Sequence, residues 1–501
     1  MQAIRDVFGF FLGEKAASLS RALTYGYIGA GLGLVAGLFW QPLSFLFYPA
    51  LAFLCWQSLV GKVCRSGMFF FWLPYMAVVG WAVWLPVFPW LAGPVLAVLL
   101  AFLLGNLFYL LQTRIVAPGG RLFLLPAGLF LFEFATQYFP LVQKIELPLL
   151  LGIIHSHTVV VRLVLLLGTS LSLFALAVLL GVIVGLAGKS IPRRTAVAAG
   201  APILILLLVA NMLTGSSLDS DGVKIAAIQG STAGETMALQ GDEFVEFVFE
   251  RYATLAAEVP ADIHLFAEVP AGFYTPHHPQ YPGDKFVQLA ASLDSIVVPV
   301  VMEYRAVENE TVAFITALVV DGRGIIGASS KRNLVPFAET GNVQPGKDFE
   351  SIDTVHGSLG IAVCYDLNHS PTVARLKQSG AEIILSPFND GGFSGIFRRI
   401  HSHYGPLRAL EYNLPVVMAN EDGISLIADR NGTIITRLEP GETGFISARF
   451  ALKEHTSYYL LIGRKLEALL LLVSLLIFGT QVLAPGRSRV LAMLKGQDRF
   501  R

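Results

Sequence analysis

A 501-residue chain that is 54% hydrophobic and only 14% charged departs from soluble proteins, in which about a quarter of the residues are charged. With a mean hydropathy of +0.62, it must contain many bilayer spans. Its 36 Lys and Arg balance 36 Asp and Glu, so nothing offers an electrostatic grip on nucleic acid, and no nucleic-acid partner is expected.

The first 20 residues have no cleavage site after an adequate apolar core, and they read as a cytoplasmic amphipathic lead-in rather than a signal peptide. Runs able to cross a hydrocarbon core of about 30 Å, roughly 20 residues each, fall near 22–39, 42–57, 69–84, 88–111, 121–138, 160–187 and 195–213. The second and third are short, and the sixth is long and interrupted by Gly168 and Gly181. An eighth covers 466–484. The expected division is a seven-span membrane domain at 1–215, a polar region at 216–460, and a final span with a short tail at 461–501.

Lys and Arg counted near the span ends orient these runs. Arg5, Lys15, Arg21, Lys62, Arg65, Arg114, Arg121, Lys189, Arg193, Arg194, Arg487, Arg489 and Lys495 all fall on one side. The connections at 40–42 and 86–89 on the other side carry no charge, and of the exceptions Lys144 and Arg162, the former is offset by Glu146. Both termini are therefore predicted to be cytoplasmic and residues 216–460 extracytoplasmic.

Within 216–460, short β-branched runs alternate with helix-compatible stretches. Strands are predicted at 224–229, 263–266, 295–302, 312–320, 358–364, 382–386, 415–419, 425–429 and 433–437, and helices at 242–259, 371–379 and 405–412. This alternation predicts one α/β domain with helices covering both faces of a sheet sandwich.

Cys55, Cys64 and Cys364 are the cysteines, and only the last lies in the polar region, where it is either an inert core residue or a reactive thiol. It ends the run Gly360-Ile-Ala-Val-Cys before a predicted helix. A thiol at such a turn faces converging backbone N–H groups, which lower its pKa and can stabilise an oxyanion. Glu268 ends another strand, in His-Leu-Phe-Ala-Glu-Val-Pro; it is a surface carboxylate or, buried with a raised pKa, a general base. Lys331, followed by Arg332, is a solvated loop cation or a charge that favours thiolate and oxyanion.

Taken in order, Glu268, Lys331 and Cys364 resemble the Glu-Lys-Cys set of the carbon-nitrogen hydrolase (nitrilase) superfamily. Ala227-Ile-Gln-Gly230, Leu334-Val-Pro-Phe-Ala-Glu339, Asn389-Asp390 and Arg408-Ala-Leu-Glu411 extend the resemblance over 223–450. Seven spans before such a domain and one after it resemble the bacterial apolipoprotein N-acyltransferases, with Lys331 to Glu339 the most specific motif. The resemblance implies a multispan α-helical membrane domain in the inner membrane plus an extracytoplasmic nitrilase-like αββα sandwich. It also implies Glu268 as base, Lys331 as electrostatic stabiliser, Cys364 as nucleophile, Glu339 supporting the lysine and Tyr365 lining the oxyanion pocket with its backbone. The activity it implies moves a fatty acyl chain from a phospholipid donor, through a Cys364 thioester, to the N-terminal amine of a diacylglyceryl lipoprotein. A membrane-anchored amidase, with water in place of the amine, is the alternative.

Four positions depart from the family pattern and bear on substrate: Asp366 stands for Glu, Ser329 for Tyr, Ile315 for Asn, and Gly391-Gly392 removes a Trp. Phe388, Phe393 and Phe397 read either as apolar arms that admit acyl chains or as ordinary core aromatics. No cofactor is expected. No carboxylate or cysteine completes a metal set with His155 and His157, His277-His278 or His401 and His403, so no metal is expected, and His401 is assigned a structural role.

Overall fold

The computed structural model describes residues 21–39, 41–60, 64–79, 98–103, 105, 106, 109, 118–138, 158–214, 218–232, 241–274, 283–307, 310–335, 339 and 341–476. The lead-in, most of the fourth apolar run, the basic tail, Lys62, Arg114, Lys144, His155, His157, His277 and His278 lie outside them.

Apolar sequence in a bilayer must satisfy its backbone internally, which makes helices of these runs. Among the described residues these runs give α1 (Arg21–Phe39), α2 (Phe47–Leu59, entered through a 3-10 turn at Gln41–Leu46), α3 (Arg65–Val79), α4 (Pro118–Tyr138), α5 (Leu163–Ala187) and α6 (Arg193–Met212). Three stretches among the described residues, Pro42–Leu59, Leu163–Ala187 and Arg193–Met212, are long and apolar enough to cross a membrane. The apolar window of α5 is 83% buried and that of α6 only 28%, so α5 is the central helix and α6 a peripheral one.

The interruption expected in the sixth run is real at Gly168, whose φ of 69° and ψ of −176° break α5. Glycine alone occupies that region at little cost. It is also needed for space, because a Cβ there would lie 2.2 Å from the ring of Tyr459. Tyr459 opens a π-helical turn, Tyr459–Gly463, that leads into the final helix, described to residue 476. Gly463 completes the fit, since its Cβ would meet the Leu166 carbonyl oxygen at 2.6 Å.

The polar region folds as two six-stranded sheets face to face. One has the order β12-β1-β2-β3-β4-β5, with β1 Leu218–Gln229, β2 Ile263–Tyr274, β3 Ile296–Val307, β4 Glu310–Asp321, β5 Gly324–Ser330 and β12 Gly444–Phe450. The other runs β11-β10-β9-β8-β7-β6, with β6 Ile352–Thr354, β7 Gly357–Ile361, β8 Ile383–Phe388, β9 Val416–Asn420, β10 Ser425–Ala428 and β11 Ile434–Leu438. Parallel pairing sets Ile225 opposite Ile263 and Ile263 opposite Ile296 in the first sheet, and Leu359 opposite Ile383 and Ile384 opposite Val416 in the second. Runs such as Val297–Val298 and Val416–Ala419 are buried on both faces, as strands between a helix layer and a second sheet must be. Helices α7 (Gly241–Glu258) and α8 (Gly283–Leu293) cover the first sheet; α9 (Ser370–Gln378) and α11 (Tyr404–Tyr412) cover the second, and α10 (Gly395–Ser402) leads into α11. The expected αββα sandwich is therefore present.

Two local readings need correction, and one left open is decided. Glu268 lies inside β2 rather than at its end, because the strand resumes pairing with β3 after a register shift beyond Leu265. The strand before Cys364 stops at Ile361, and the thiol sits on a 3-10 turn, Cys364–Asn368. Phe388 is a fully buried core residue of β8, not an arm, and Phe397 is 4% exposed and stacked on Phe393 at 4.3 Å.

Candidate active site

Lys331 directly follows β5, and the backbone fixes it on both sides: its N–H donates to the Ile315 carbonyl at 2.7 Å, and its carbonyl accepts from Gly346 N–H at 2.7 Å. Its side chain has no exposed surface and ends between two carboxylates, with Nζ 2.7 Å from Glu268 Oε1 and 2.5 Å from Glu339 Oε1. Glu339 uses its other oxygen to accept from Val335 N–H at 2.7 Å, which holds its carboxylate beside the lysine.

Cys364 is 3% exposed and has a φ of +49°. A side chain held there costs on the order of 1–3 kcal/mol, and such strain concentrates at functional sites. The surrounding contacts hold this turn at both ends. Before it, Ala362 N–H donates to Leu385 O at 3.0 Å, and Ser386 Oγ donates to the Ala362 carbonyl. After it, the buried Arg408 donates from Nε to Leu367 O at 3.0 Å and from Nη2 to Asn368 O at 2.5 Å.

Asp366, on the same turn, joins it to the lysine loop. Its carboxylate accepts from Arg332 N–H at 3.0 Å and Asn333 N–H at 2.7 Å, and it lies 3.3 Å from Arg332 Nη1. Arg332 also donates to the Ile361 carbonyl at 2.9 Å and to Ser329 Oγ at 2.9 Å. The departures at 329 and 366 thus form one buried network around Arg332. At the Gly391-Gly392 departure, Gly392 has a φ of +84° and open space where a Cβ would stand.

Burial pushes the Cys364 thiol well above its ordinary value, and the nearby Glu268 carboxylate adds to the rise against the opposing pull of Lys331. The expectation of a lowered thiol pKa is therefore wrong: desolvation and the carboxylates of Glu268, Asp390 and Glu339 outweigh one ammonium. Glu268 also rises, first through burial and then through Glu339, although Lys331 and a hydrogen bond with the thiol oppose this. Burial works against the charge on Lys331, but the facing anionic groups overcome it and hold the ammonium well above its usual range. Burial also raises Asp366, opposed by Arg332. The resting cluster is a neutral thiol beside a locked ammonium and a carboxylate poised to take a proton.

The site thus brings together Glu268, Lys331, Cys364 and Glu339, with Tyr365 and Asp366 on the nucleophile turn. A buried group at its side was visible only in part from the sequence. Asp390 accepts from His401 Nδ1–H at 2.6 Å and from Asn420 Nδ2 at 2.7 Å, and its charge adds to the rise of Cys364. Glu421, bonded to Thr232 and Tyr252, had no local signal because its partners are 189 and 169 residues away.

The chain is similar to several known proteins. The carbon-nitrogen hydrolase family matches residues 215–459. An apolipoprotein N-acyltransferase of Rhizobium leguminosarum is 27% identical over 328 residues, 55% of this chain and 59% of that one. Human deaminated glutathione amidase is 32% identical over 120 residues, 21% of this chain and 35% of the other. The crystal structure of Saccharomyces cerevisiae Nit3 superposes with a TM-score of 0.38 at 19% identity, covering 47% of this chain and 92% of that one. The chain spans roughly half the length of three curated acyltransferases it matches, from 43% to 59%.

Proposed function

We propose, from the match of residues 215–459 to the carbon-nitrogen hydrolase family, that this chain is a membrane-embedded N-acyltransferase acting on lipoproteins. It moves a fatty acyl chain from a phospholipid to the α-amine of the lipid-modified N-terminal cysteine of a diacylglyceryl lipoprotein. One observation carries the reading: a buried Glu-Lys-Cys cluster lies in a domain whose covering helix α11 packs against the apolar helix α5. A soluble amidase has no need of that attachment.

Glu268 takes the proton of Cys364 as the thiolate sulfur attacks the ester carbonyl. The oxyanion forms beside the Lys331 ammonium and the backbone N–H of Tyr365, two donors whose attraction grows as charge develops. Collapse expels the lysophospholipid alkoxide, which receives the proton from Glu268, and leaves an acyl thioester on Cys364. The amine attacks that thioester, passes its proton to Glu268, and the thiolate leaves and is reprotonated. Glu339 holds the lysine in place, and Asp366 holds the lysine loop against the nucleophile turn.

The membrane part is a seven-span domain over 1–215, with an eighth span in 461–501. Its basic connections put both termini in the cytoplasm and the catalytic domain, 216–460, on the periplasmic face of the inner membrane. Incubating the purified protein with phospholipid and a diacylated lipopeptide tests the function. A mass gain of one acyl chain on the peptide is expected; free fatty acid with no peptide product would replace the transferase with a hydrolase. Cys364→Ala is expected to abolish turnover, and retained activity would refute the thioester.

A further inference from the structure

The break in α5 does more than receive the last helix. It leaves Thr169, 1% exposed, with its hydroxyl donating to Glu411 Oε1 at 3.1 Å in α11. The other oxygen of Glu411 accepts from Arg408 Nη1 at 2.5 Å and from Ser370 Oγ at 3.0 Å. Arg408 in turn holds the carbonyls of Leu367 and Asn368, the end of the turn that begins at Cys364. Every link is buried, so water cannot replace a missing partner.

The surroundings keep Thr169 in this position. Tyr459 fills the notch at Gly168, its hydroxyl donates to Glu467 Oε2 at 2.7 Å, and Tyr138 hydroxyl lies 3.0 Å from it. Ser172 Oγ takes up the Gly168 carbonyl at 2.6 Å. The helix break is thus satisfied from three helices, and Thr169 is the residue that turns from it toward the catalytic domain.

We infer that Thr169 is a positioning residue for Cys364, acting through Glu411 and Arg408, so that the membrane helix sets the geometry of the nucleophile turn. The inference rests on Cys364 as nucleophile and not on the identity of the acyl acceptor. Loss of the hydroxyl leaves Glu411 short of a donor, lets Arg408 shift, and loosens the turn that holds Cys364 at positive φ.

The test uses the full chain in detergent, with the rate of Cys364 alkylation by iodoacetamide read by peptide mass spectrometry, which separates it from Cys55 and Cys64. Thr169→Val is expected to slow alkylation about tenfold, the effect of one lost hydrogen bond to a charged group. Thr169→Ser is expected to restore the parent rate. Glu411→Gln is expected to slow it as well, and the Thr169→Val/Glu411→Gln pair to be no slower than Glu411→Gln alone. A parent-like rate in Thr169→Val, equal slowing in Thr169→Ser, or additive effects in the pair would overturn the inference. Should Thr169→Val fail to fold, a parent-like rate in Glu411→Gln would overturn it instead. A parent protein that alkylates at Cys364 yet forms no acyl thioester with phospholipid would refute the acyl-transfer reading while leaving this one standing.

Discussion

Replacing Lys331 with Met removes the one ammonium between the buried Glu268 and the partly buried Glu339 carboxylates while keeping most of the side-chain volume. Nζ lies 2.7 Å from Glu268 and 2.5 Å from Glu339, and the lysine side chain has no exposed surface. Without it the two carboxylates cannot both stay ionised, so one must hold a proton at neutral pH. Lifting a carboxylate from its ordinary value near 4.3 to 7 costs about 3.7 kcal/mol, at about 1.36 kcal/mol for each pH unit. That agrees with the roughly 3–5 kcal/mol measured when one partner of a buried pair is deleted. Thermal or urea unfolding in detergent should therefore show Lys331→Met destabilised by about that amount. The double variant Lys331→Met/Glu268→Gln should recover a large part of the loss, because it removes one of the two facing charges. Equal stability of Lys331→Met and parent, or no recovery in the double variant, would refute the electrostatic account.

The raised Glu268 predicts an acid limb in the rate of thioester formation: the base works deprotonated, so the rate falls as pH drops through a value above the ordinary carboxylate range. A rate that stays flat down to about pH 4 would contradict this. Asp366→Asn leaves the buried Arg332 guanidinium without its carboxylate at 3.3 Å and should cost about 3 kcal/mol in unfolding measurements, with slower Cys364 alkylation. Burial and then the charge of Arg408 push His369 down to about 3, against an ordinary value of 6.5. The buried neutral ring then contributes stability that is full above pH 6.5 and is lost as pH falls toward about 3, at about 1.4 kcal/mol per unit. His369→Phe should flatten that slope relative to the parent, and an unchanged slope would show that His369 is not its source.

The fold of residues 216–460 was legible where strands are continuous and buried on both faces, as at Ile296–Val301 and Val416–Ala419, because such runs carry their own signal. β12 was missed: Gly444–Phe450 is only partly buried, and its pairing partner β1 lies more than 200 residues away in the chain. β5 was missed because Gly324-Ile-Ile-Gly-Ala-Ser-Ser looks like a loop, and pairing with β4 makes it a strand. In the site, Glu268, Lys331 and Cys364 could be named from their order and flanking motifs. The state of the thiol could not. A local rule for turns predicts a lowered pKa, whereas burial and the carboxylates of Glu268, Asp390 and Glu339 raise it. Asp366 read as a departure bearing on substrate, but its contacts with Arg332 and Asn333 give it a structural task at the joint of two loops.

A thiol held far above its usual pKa is consistent with catalysis because of how charge moves in the proposed attack. At rest, two carboxylates, one ammonium and a neutral thiol leave a single net negative charge in the buried cluster. When Glu268 takes the proton and sulfur attacks, Glu268 becomes neutral and the charge reappears on the oxyanion, again beside Lys331. The net charge is unchanged, so no new ion is created in a medium where an isolated one costs several kcal/mol. A free thiolate would add a third anion around one ammonium, which explains why the resting site suppresses it. The lysine is thus a fixed point across which negative charge passes from one neighbour to another. Its attraction to the oxyanion exists only once attack has begun, the condition for lowering a barrier rather than merely tightening binding. The same suppression keeps Cys364 a neutral thiol at rest, so that its proton leaves only as the sulfur attacks.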